Sequence, residues 1–262
     1  MSGIITLTTD FGLSDSYVGA MKGVILSINP EAKTIDVCHL ISSQDIFGAA
    51  FILNSFYHYF PKGTIHLLVV DPEVGGKRRP ILVETKDYYF IGPDNGVFSY
   101  IYEKENLGEV IHLTASQYFL PVISDTFHGR DIFAPIGAHL SLGVEPRWFG
   151  QAISDFVRFE TPKTKLVDNF LEGCIIHIDR FGNLITNIAK DTFEEFVKGK
   201  RFIIEIKGNT VDRVSKGYSE ISKGTLLVTF GSEQLLEVAI SRGRASEALN
   251  SGRGEPIRVK LV

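Results

Sequence analysis

The sequence predicts an α/β protein in which a larger N-terminal part is built on a largely parallel sheet and a smaller C-terminal part is all-β. From residue 4 to about residue 142, short apolar runs alternate with longer segments of helical period, which is typical of βα units. After about residue 160, short strands and turns follow one another at a spacing that suits a small barrel or sandwich. The polar segment 160–165 is the expected linker, so we place the domains at residues 1–162 and 163–262.

In chain order, the first half is expected to contain strands at 4–8, 35–38, 65–70, 81–84, 88–91 and 110–113 and helices at 17–28, 45–60, 97–102 and 132–142. Ser14 or Asp15 is placed to cap the first helix, and Asn29-Pro30 ends it. The run 65–70 is apolar on both faces, as an interior parallel strand should be. Polar turns separate these elements.

The second half is expected to contain strands at 174–178, 184–188, 201–206, 225–230, 235–240 and 257–261, with one short helix at 192–197. The sequence shows no internal repeat and no low-complexity stretch. The number and spacing of these strands suit a small barrel or sandwich.

The composition is that of an ordinary folded protein: 262 residues, 44% hydrophobic and 22% charged, with a mean hydropathy of +0.09. The net charge of −4 gives no reason to expect a nucleic-acid or membrane-surface partner. No apolar run approaches the ~20 residues that span a bilayer, and no leader pattern is present, so a cytoplasmic location is expected. Cys38 and Cys174 lie far apart in apolar runs and read as buried hydrophobic residues rather than a disulfide.

Ligands of parallel α/β sheets bind beyond the carboxyl ends of the strands, so polar residues directly after strands are the first candidates for a site. Asp10 follows the first strand, and its carboxylate beside a glycine turn can accept both hydroxyls of a ribose. A turn or helix-capping aspartate is the simpler alternative on the residues alone.

Asp71 follows the strand at 65–70 and opens a loop that holds two glycines and the pair Arg78-Arg79. Such a loop suits a phosphate, but the G-x-x-x-x-G-K-[ST] order is absent, so a P-loop is weakly supported. A structural Asp-Pro turn is the other interpretation.

His128 lies in the segment 124–135, just before the last helix of the first half. It is a candidate general base or ligand-orienting donor, although a lone histidine is most often structural. Asp131 is placed to favour the helix N-terminus electrostatically. The remaining histidines lack metal-ligand spacing, so no metal site is expected; they are His39, His58, His66, His112, His139 and His177.

In the second half, the segment 178–183 joins two strands, where Phe181 can stack on an aromatic base and Asn183 can read its edge. A hairpin turn is the alternative. Glu237 lies inside an apolar strand pattern, so its carboxylate needs a partner such as an ammonium group or must face water.

Together these segments resemble the S-adenosylmethionine hydroxide adenosyltransferase family, also called S-adenosylmethionine hydrolases, which is related to fluorinating and chlorinating enzymes. The resemblance spans essentially the whole chain. It rests on five segments in order, namely 9–12, 71–75 with Arg78, 127–135, 179–183 and 236–239. Glu73 departs from the family, which usually has glycine there, but leaves Asp71 and Arg78 in register.

The resemblance implies a Rossmann-like N-terminal domain, a β-barrel C-terminal domain and a homotrimer with the substrate at the subunit interface. It implies attack of hydroxide on the ribose C5′ of S-adenosylmethionine, without a cofactor, to release adenosine and L-methionine. By the same resemblance, Asp71, Arg78 and His128 position and help deprotonate the water. The implied substrate-binding residues are Asp10 for the ribose diol, Asn183 and Phe181 for the adenine, and Asp179, Ser232 and Glu237 for the methionine end, with Glu233 beside them.

This chemistry suits the residue types, because a sulfonium leaves as a neutral thioether and needs neither an acid nor a metal. Water needs position and a proton acceptor, which Asp71 or His128 can supply. Three other functions stay open: a halide-dependent 5′-halo-adenosine synthase, which the Asp71, Arg78 and His128 set disfavours, a binding module for adenosine or S-adenosylmethionine without turnover, and a metal-dependent phosphohydrolase.

Overall fold

A computed structural model describes residues 3–218 and 221–262. The chain divides into two compact units, residues 1–160 and residues 161–262, called here the N-terminal and C-terminal units. The domain boundary at 162, which was expected from the polar segment 160–165, stays a prediction beside this division.

The N-terminal unit alternates strands and helices through most of its length. Its elements are β1 (Ile4–Thr9), α1 (Tyr17–Ile28), β2 (Lys33–Cys38), α2 (Ile46–Phe56), β3 (Ile65–Val69), β4 (Pro80–Thr85), β5 (Tyr89–Pro93), α3 (Ser99–Lys104), β6 (Leu107–Leu113), α4 (Ala134–Ser141) and β7 (Gly150–Ala152). The expected elements of this half are present, and β7 is an addition that the sequence did not indicate because it has only three residues.

The strands of this unit form one sheet in the order β2-β1-β3-β5-β4-β6-β7. Pairs β1–β2, β1–β3 and β3–β5 are parallel, whereas β4–β5, β4–β6 and β6–β7 are antiparallel. The sheet is therefore mixed, and the expectation of a largely parallel sheet holds only for its first half. The reason is the tight turn after β4, which returns the chain antiparallel as β5.

Both faces of this sheet are covered. Alternate residues of β3 face opposite ways, so Ile65 and Leu67 join the core with α1 and α4, while Leu68 joins the core with α2 and α3. All five residues of β3 are buried, which confirms it as an interior strand. A mixed α/β unit with helices on both faces results, and its Rossmann-like classification stays a prediction.

The helix boundaries show where the sequence interpretation was wrong. Helix α1 begins after Ser16, whose side chain makes no capping hydrogen bond, and the expected caps Ser14 and Asp15 contact each other instead. It ends at Asn29 as expected. Helix α2 is capped by Asp45, whose Oδ1 accepts the Gly48 N–H at 2.9 Å. It ends at Phe56, and a 3₁₀ turn replaces the last turn of the expected helix.

The described residues of the C-terminal unit form an antiparallel, barrel-like sheet with two short helices. Its elements are β8 (Lys165–Val167), β9 (Phe170–Ile178), β10 (Leu184–Ala189), α5 (Lys190–Val197), β11 (Phe202–Ile206), β12 (Asn209–Val211), β13 (Leu226–Phe230), β14 (Leu235–Ile240), α6 (Ala245–Ala248) and β15 (Pro256–Leu261). The strand order is β12-β11-β15-β9-β10-β14-β13, with β8 added to β9. Every pairing is antiparallel, so the expected strands and all-β character are confirmed.

Candidate active site

The carboxyl edge of the parallel strands brings two predicted residues to neighbouring positions. Asp10 follows β1 and Asp71 closely follows β3, and these strands pair in parallel with Thr9 opposite Val69. Parallel neighbours end at the same edge of a sheet, which is where ligands of α/β proteins bind.

Arg78 lies at the centre of a buried charged cluster with Asp71 and His128. Its Nε donates to Asp71 Oδ1 at 2.9 Å, and its Nη2 donates to Asp71 Oδ2 and, at 2.7 Å, to His128 Nδ1. The side chains of Arg78 and Asp71 are only 2% and 5% exposed. The guanidinium carbon also lies 5.5 Å from the centre of the Phe133 ring. The three predicted catalytic residues therefore form one assembly, held by a two-pronged ion pair.

This arrangement fixes the protonation state of His128. An arginine can only donate, so His128 Nδ1 must be an acceptor and the ring proton of the neutral form lies on Nε2. Burial and the Arg78 charge lower the pKa of His128, against the opposing influence of Asp71, Asp131 and Asp125. The imidazole is therefore neutral at pH 7 and presents an N–H at Nε2.

Two loops that carry the cluster are interlocked. Gly75 has φ +74°, and a Cβ at this position would overlap the backbone carbonyl oxygen of Asp125. Only glycine permits both this conformation and this close approach. The loop 71–80 is thereby pressed against the segment that carries His128.

The loop after Arg78 is fixed by its neighbour Arg79, whose guanidinium binds Asp94 at 2.9 Å and Asp155 at 2.7 Å. Arg79 is therefore occupied by carboxylates, which argues against the phosphate-cradle interpretation. Glu73 lies on the exposed side of the loop and has no left-handed backbone angle, so its departure from glycine is accommodated.

Asp131 lies in the first turn of a helical segment, as expected, and it also anchors the segment that contains His128. The chain makes a π-helical turn at Gly129–Phe133 before α4 begins. Within it, the fully buried Asp131 accepts the Ser124 N–H at 2.8 Å and the Ser124 hydroxyl at 2.7 Å. Arg130 Nε donates to the same carboxylate at 2.6 Å. These bonds close residues 124–131 into a compact loop.

The turn that carries Asp10 contacts this loop through aromatic rings. Phe11 lies 5.7 Å from Phe127, edge to face, and Phe127 directly precedes His128. The Asp10 carboxylate itself accepts the backbone N–H of Gln44 at 2.8 Å. Asp10 and the charged cluster thus belong to one region of the N-terminal unit.

The remaining predicted residues lie in the C-terminal unit, around a cavity of about 770 Å³. Asp179, Phe181, Asn183, Ser232 and Glu237 are among its lining residues; Glu233 is not among the lining residues in the part of the chain that is described. A cavity of this size matches the volumes typical of small-molecule sites.

Asp179 and Asn183 hold each other across the turn between β9 and β10. Asp179 Oδ1 accepts the Asn183 backbone N–H and its Oδ2 accepts the side-chain amide, both at 2.8 Å. Gly182 between them has φ +83°, as the hairpin alternative required. Phe181 is 74% exposed at the rim and is available for stacking. The turn therefore combines the hairpin geometry and the expected polar and aromatic groups.

Glu237 is buried on β14 and has the partner that its burial requires: the Tyr218 hydroxyl donates to Glu237 Oε2 at 2.7 Å. Burial and, to a smaller degree, Asp179 raise the pKa of Glu237, while the Tyr218 bond lowers it. Gly231 leaves room for the carboxylate, because a Cβ there would overlap Glu237 Oε1. Sequence reasoning missed Tyr218, which lies in a segment without any motif.

The described residues can be searched for a metal site, a membrane-spanning helix and a disulfide. Within them, no cluster of three or more His, Cys, Asp or Glu side chains is arranged to hold a metal ion. No helix in the same residues is long and apolar enough to cross a membrane. Cys38 and Cys174 are both free thiols, and both are half-buried rather than buried.

A buried Asp–Arg–His cluster beyond parallel strands, in a chain that also carries a cavity lined by carboxylates and an aromatic ring, defines an α/β enzyme acting on a small molecule. Models of the N-terminal and C-terminal domains of S-adenosylmethionine hydroxide adenosyltransferases match residues 5–150 and 173–258. The chain belongs to this family, which confirms the resemblance found in the sequence.

Similar proteins carry names that agree with the family. A protein of Methanocaldococcus jannaschii named (R)-S-adenosyl-L-methionine hydrolase is 38% identical, covering 94% of this chain and 92% of its own. A protein of the same name from Thermus thermophilus is 34% identical over 96% and 97%. A fluorinase of an Actinoplanes species is 29% identical and covers 73% of this chain and 74% of its own.

Solved structures agree in fold. The crystal structure of an uncharacterized conserved protein from Thermotoga maritima has a TM-score of 0.91 and 33% identity, covering 98% of this chain and 99% of that one. A conserved hypothetical protein from Thermus thermophilus has a TM-score of 0.78 and 31% identity over the same shares.

Proposed function

We propose that this protein hydrolyses S-adenosylmethionine to adenosine and L-methionine, by attack of water or hydroxide on the ribose C5′. The observation that carries the proposal is the preassembled Asp71, Arg78 and His128 cluster in a chain of this family. A new C5′–O bond forms as the C5′–S bond breaks, and the electron pair of that bond leaves with sulfur as a neutral thioether. No group is needed to protonate the leaving atom.

In this mechanism each of the three residues acts on the attacking water in a different way. His128 donates its Nε2–H to the water oxygen and so fixes its position, because its Nδ1 is already bound by Arg78. Asp71 accepts the water proton through a lone pair that the arginine leaves free. The Arg78 charge favours the hydroxide form, and the dry surroundings strengthen each of these interactions. Holding the water oxygen in line with C5′ lowers the barrier further, because it raises the effective concentration of the nucleophile.

We propose the substrate-binding roles that the family resemblance implies for the remaining residues. Asp10 accepts the ribose hydroxyls, Phe181 stacks on the adenine, and Asn183 reads the adenine edge. Asp179, Ser232 and Glu237 bind the polar groups of the methionine end, where the ammonium group of the substrate would favour the charged form of Glu237. The grouping of five of these residues around one cavity supports the proposal, and Glu233 is its weakest member.

We further propose that the protein is a cytoplasmic homotrimer with the substrate at the subunit interface, working without a cofactor or metal. Large apolar side chains at the surface of the N-terminal unit support association, among them Leu13, Leu40, Val122 and Trp148. Two free thiols agree with a reducing compartment. Light scattering of the purified protein tests the trimer.

Incubation of chelator-treated protein with S-adenosylmethionine tests the activity, with chromatographic measurement of adenosine and methionine. The expected result is equal formation of both products without added metal. Binding of S-adenosylmethionine without products would identify a binding module instead.

A second candidate function, synthesis of 5′-halo-adenosine, is favoured by the fluorinase relatives. Parallel reactions in chloride and in fluoride separate the two, because only the halide-dependent reaction yields 5′-halo-adenosine. We expect adenosine in every reaction, since the cluster offers an N–H donor and a carboxylate that suit water rather than a halide ion.

A further inference from the structure

Two threonines of β1 each contact the ring of a buried histidine. Thr9 Oγ1 lies 2.9 Å from His39 Nδ1, and Thr6 Oγ1 lies 2.8 Å from His66 Nδ1. All four side chains are buried, and both threonines lie on the same strand. The two pairs are alike in chemistry and differ in what surrounds each ring.

The Thr6–His66 pair belongs to the hydrophobic core. The His66 ring is surrounded by five aromatic side chains, Phe56, Tyr57, Phe60, Tyr88 and Phe90. Burial lowers its pKa to about 3, so the ring is neutral. This pair supports no loop of the candidate site.

The Thr9–His39 pair instead holds the turn that carries Asp10. The Phe11 N–H donates to Thr9 Oγ1 at 3.2 Å, and the Gly12 N–H donates to the His39 carbonyl oxygen at 2.7 Å. The ring and the backbone of His39 thus secure the same three-residue turn from two sides. Asp10 lies between these attachment points.

The other nitrogen of the His39 ring, Nε2, faces the carboxylate of Asp36. His39 Nε2 lies 3.1 Å from Asp36 Oδ1, an ion-pair distance that departs from hydrogen-bond geometry. Asp36 Oδ2 accepts Lys22 Nζ of α1 at 2.5 Å. A carboxylate beside Nε2 favours a proton on that nitrogen, which leaves Nδ1 as the acceptor for the Thr9 hydroxyl. The donors then run in one direction, from the Phe11 N–H through Thr9 to His39.

We propose that Thr9, His39 and Asp36 are positioning residues that hold the Asp10 carboxylate in the orientation that accepts a ribose diol. The inference rests on the role of Asp10 under the proposed function. A diol engages both carboxylate oxygens at fixed positions, so a small rotation of the turn weakens recognition of the diol more than contacts elsewhere on the nucleoside. Losing the Thr9 hydroxyl leaves the Phe11 N–H unpaired and frees the turn to rotate.

Calorimetric binding of adenosine and 2′-deoxyadenosine to the full-length protein tests the proposal, because their affinity ratio reports on the diol alone. We expect the wild type to prefer adenosine and Thr9→Val to lose about tenfold of that preference, the worth of one hydrogen bond to a charged group. Thr9→Ser keeps the hydroxyl and should keep the preference. His39→Leu removes the acceptor for the Thr9 hydroxyl and should lose the preference as Thr9→Val does. His39→Asn keeps an acceptor near the Nδ1 position and should retain most of the preference.

Thr6→Val is the matched control, because it removes the same hydroxyl from the other pair. It should lower thermal stability and leave the affinity ratio unchanged. In turnover of S-adenosylmethionine, Thr9→Val should raise KM more than it lowers kcat.

The outcomes separate the two levels of inference. A wild type without any preference for adenosine overturns the ribose role of Asp10 and this proposal with it. A wild-type preference that Thr9→Val and His39→Leu both retain overturns the positioning role alone. Equal loss of preference in Thr6→Val would show general loosening of β1 and would also overturn it.

Discussion

The charged cluster of the N-terminal unit and the cavity of the C-terminal unit are built in opposite ways. Arg78 reaches Asp71 and His128 at once, and the loops that carry them are pressed together at Gly75. In the C-terminal unit, Asp179 binds its near neighbour Asn183, and Phe181 is exposed at the rim.

This difference teaches that the side chains that position the nucleophile are held more firmly than those that line the cavity. A displacement reaction depends steeply on the placement of its nucleophile, so a misplacement of about 1 Å can cost a hundredfold in rate. Recognition of a flexible amino-acid end tolerates adjustment, since a few hydrogen bonds can reform. Substitutions in the cluster should therefore change kcat, and substitutions in the cavity should change KM.

The largest effect is expected for Arg78→Lys. Lysine keeps the charge but is a point donor, and it cannot bind both Asp71 oxygens and His128 Nδ1 together. We expect kcat to fall on the order of a hundredfold or more, with little change in KM. Steady-state kinetics with S-adenosylmethionine measure both.

Arg79→Lys is the matched control, because the neighbouring arginine binds Asp94 and Asp155 outside the cluster. It should reduce kcat far less than Arg78→Lys. If the two substitutions reduced kcat equally, the special role of Arg78 would be refuted.

The next effect is expected for Gly75→Ala, which breaks the contact between the two loops. Alanine is disfavoured at φ +74° by about 1–2 kcal/mol, and its Cβ would also push against the Asp125 carbonyl. We expect kcat to fall roughly tenfold or more as His128 moves relative to Arg78. Thermal unfolding and kinetics together measure the two consequences.

Gly208→Ala separates backbone strain from loop displacement. Gly208 also has φ +74°, but a Cβ there meets no atom within 4 Å. It should show the strain cost alone and full activity. A Gly75→Ala enzyme with wild-type kcat would contradict the interlocking role.

In the C-terminal unit, Glu237→Gln should raise KM several-fold and leave kcat nearly unchanged. Glutamine can still accept from Tyr218, but it removes the charge that would attract a substrate ammonium group. Ser232→Ala should raise KM less than Glu237→Gln does, because Ser232 lines the cavity but is exposed. A fall in kcat without a change in KM for Glu237→Gln would argue against a binding role.

Much of this comparison could be predicted from the sequence, for physical reasons that differ by residue. Strand β3 could be predicted because a strand that is buried on both faces requires a continuous apolar run. Asp10 and Asp71 could be proposed because each closely follows a strand of that sheet. The joining of Asp71, Arg78 and His128 came only from the family resemblance, since 50 residues separate Arg78 from His128.

Other features depend on long-range contacts that leave no local pattern. Tyr218 and Glu237 are 19 residues apart in the chain, and Arg79 and Asp155 are 76 residues apart. The antiparallel pairings of β6 with β4 and β7 were missed because an apolar strand does not reveal the direction of its neighbour. The second role of Asp131, as the acceptor for Ser124, was missed because Ser124 lies in an irregular loop.

The smallest effect is expected for Glu73→Gly, which restores the residue that the family usually has. Glu73 lies on the exposed side of the loop 71–80 with an ordinary backbone angle, and its carbonyl accepts the Gly76 N–H at 2.9 Å. A glycine can keep that bond, so Asp71 and Arg78 should stay paired and kcat/KM should remain within about twofold. Glycine also widens the unfolded ensemble, which should lower stability by roughly 0.4–1 kcal/mol. A large change in kcat would instead mean that the Glu73 side chain reaches the reacting groups, and the rigid cluster would then extend to the outer side of its loop.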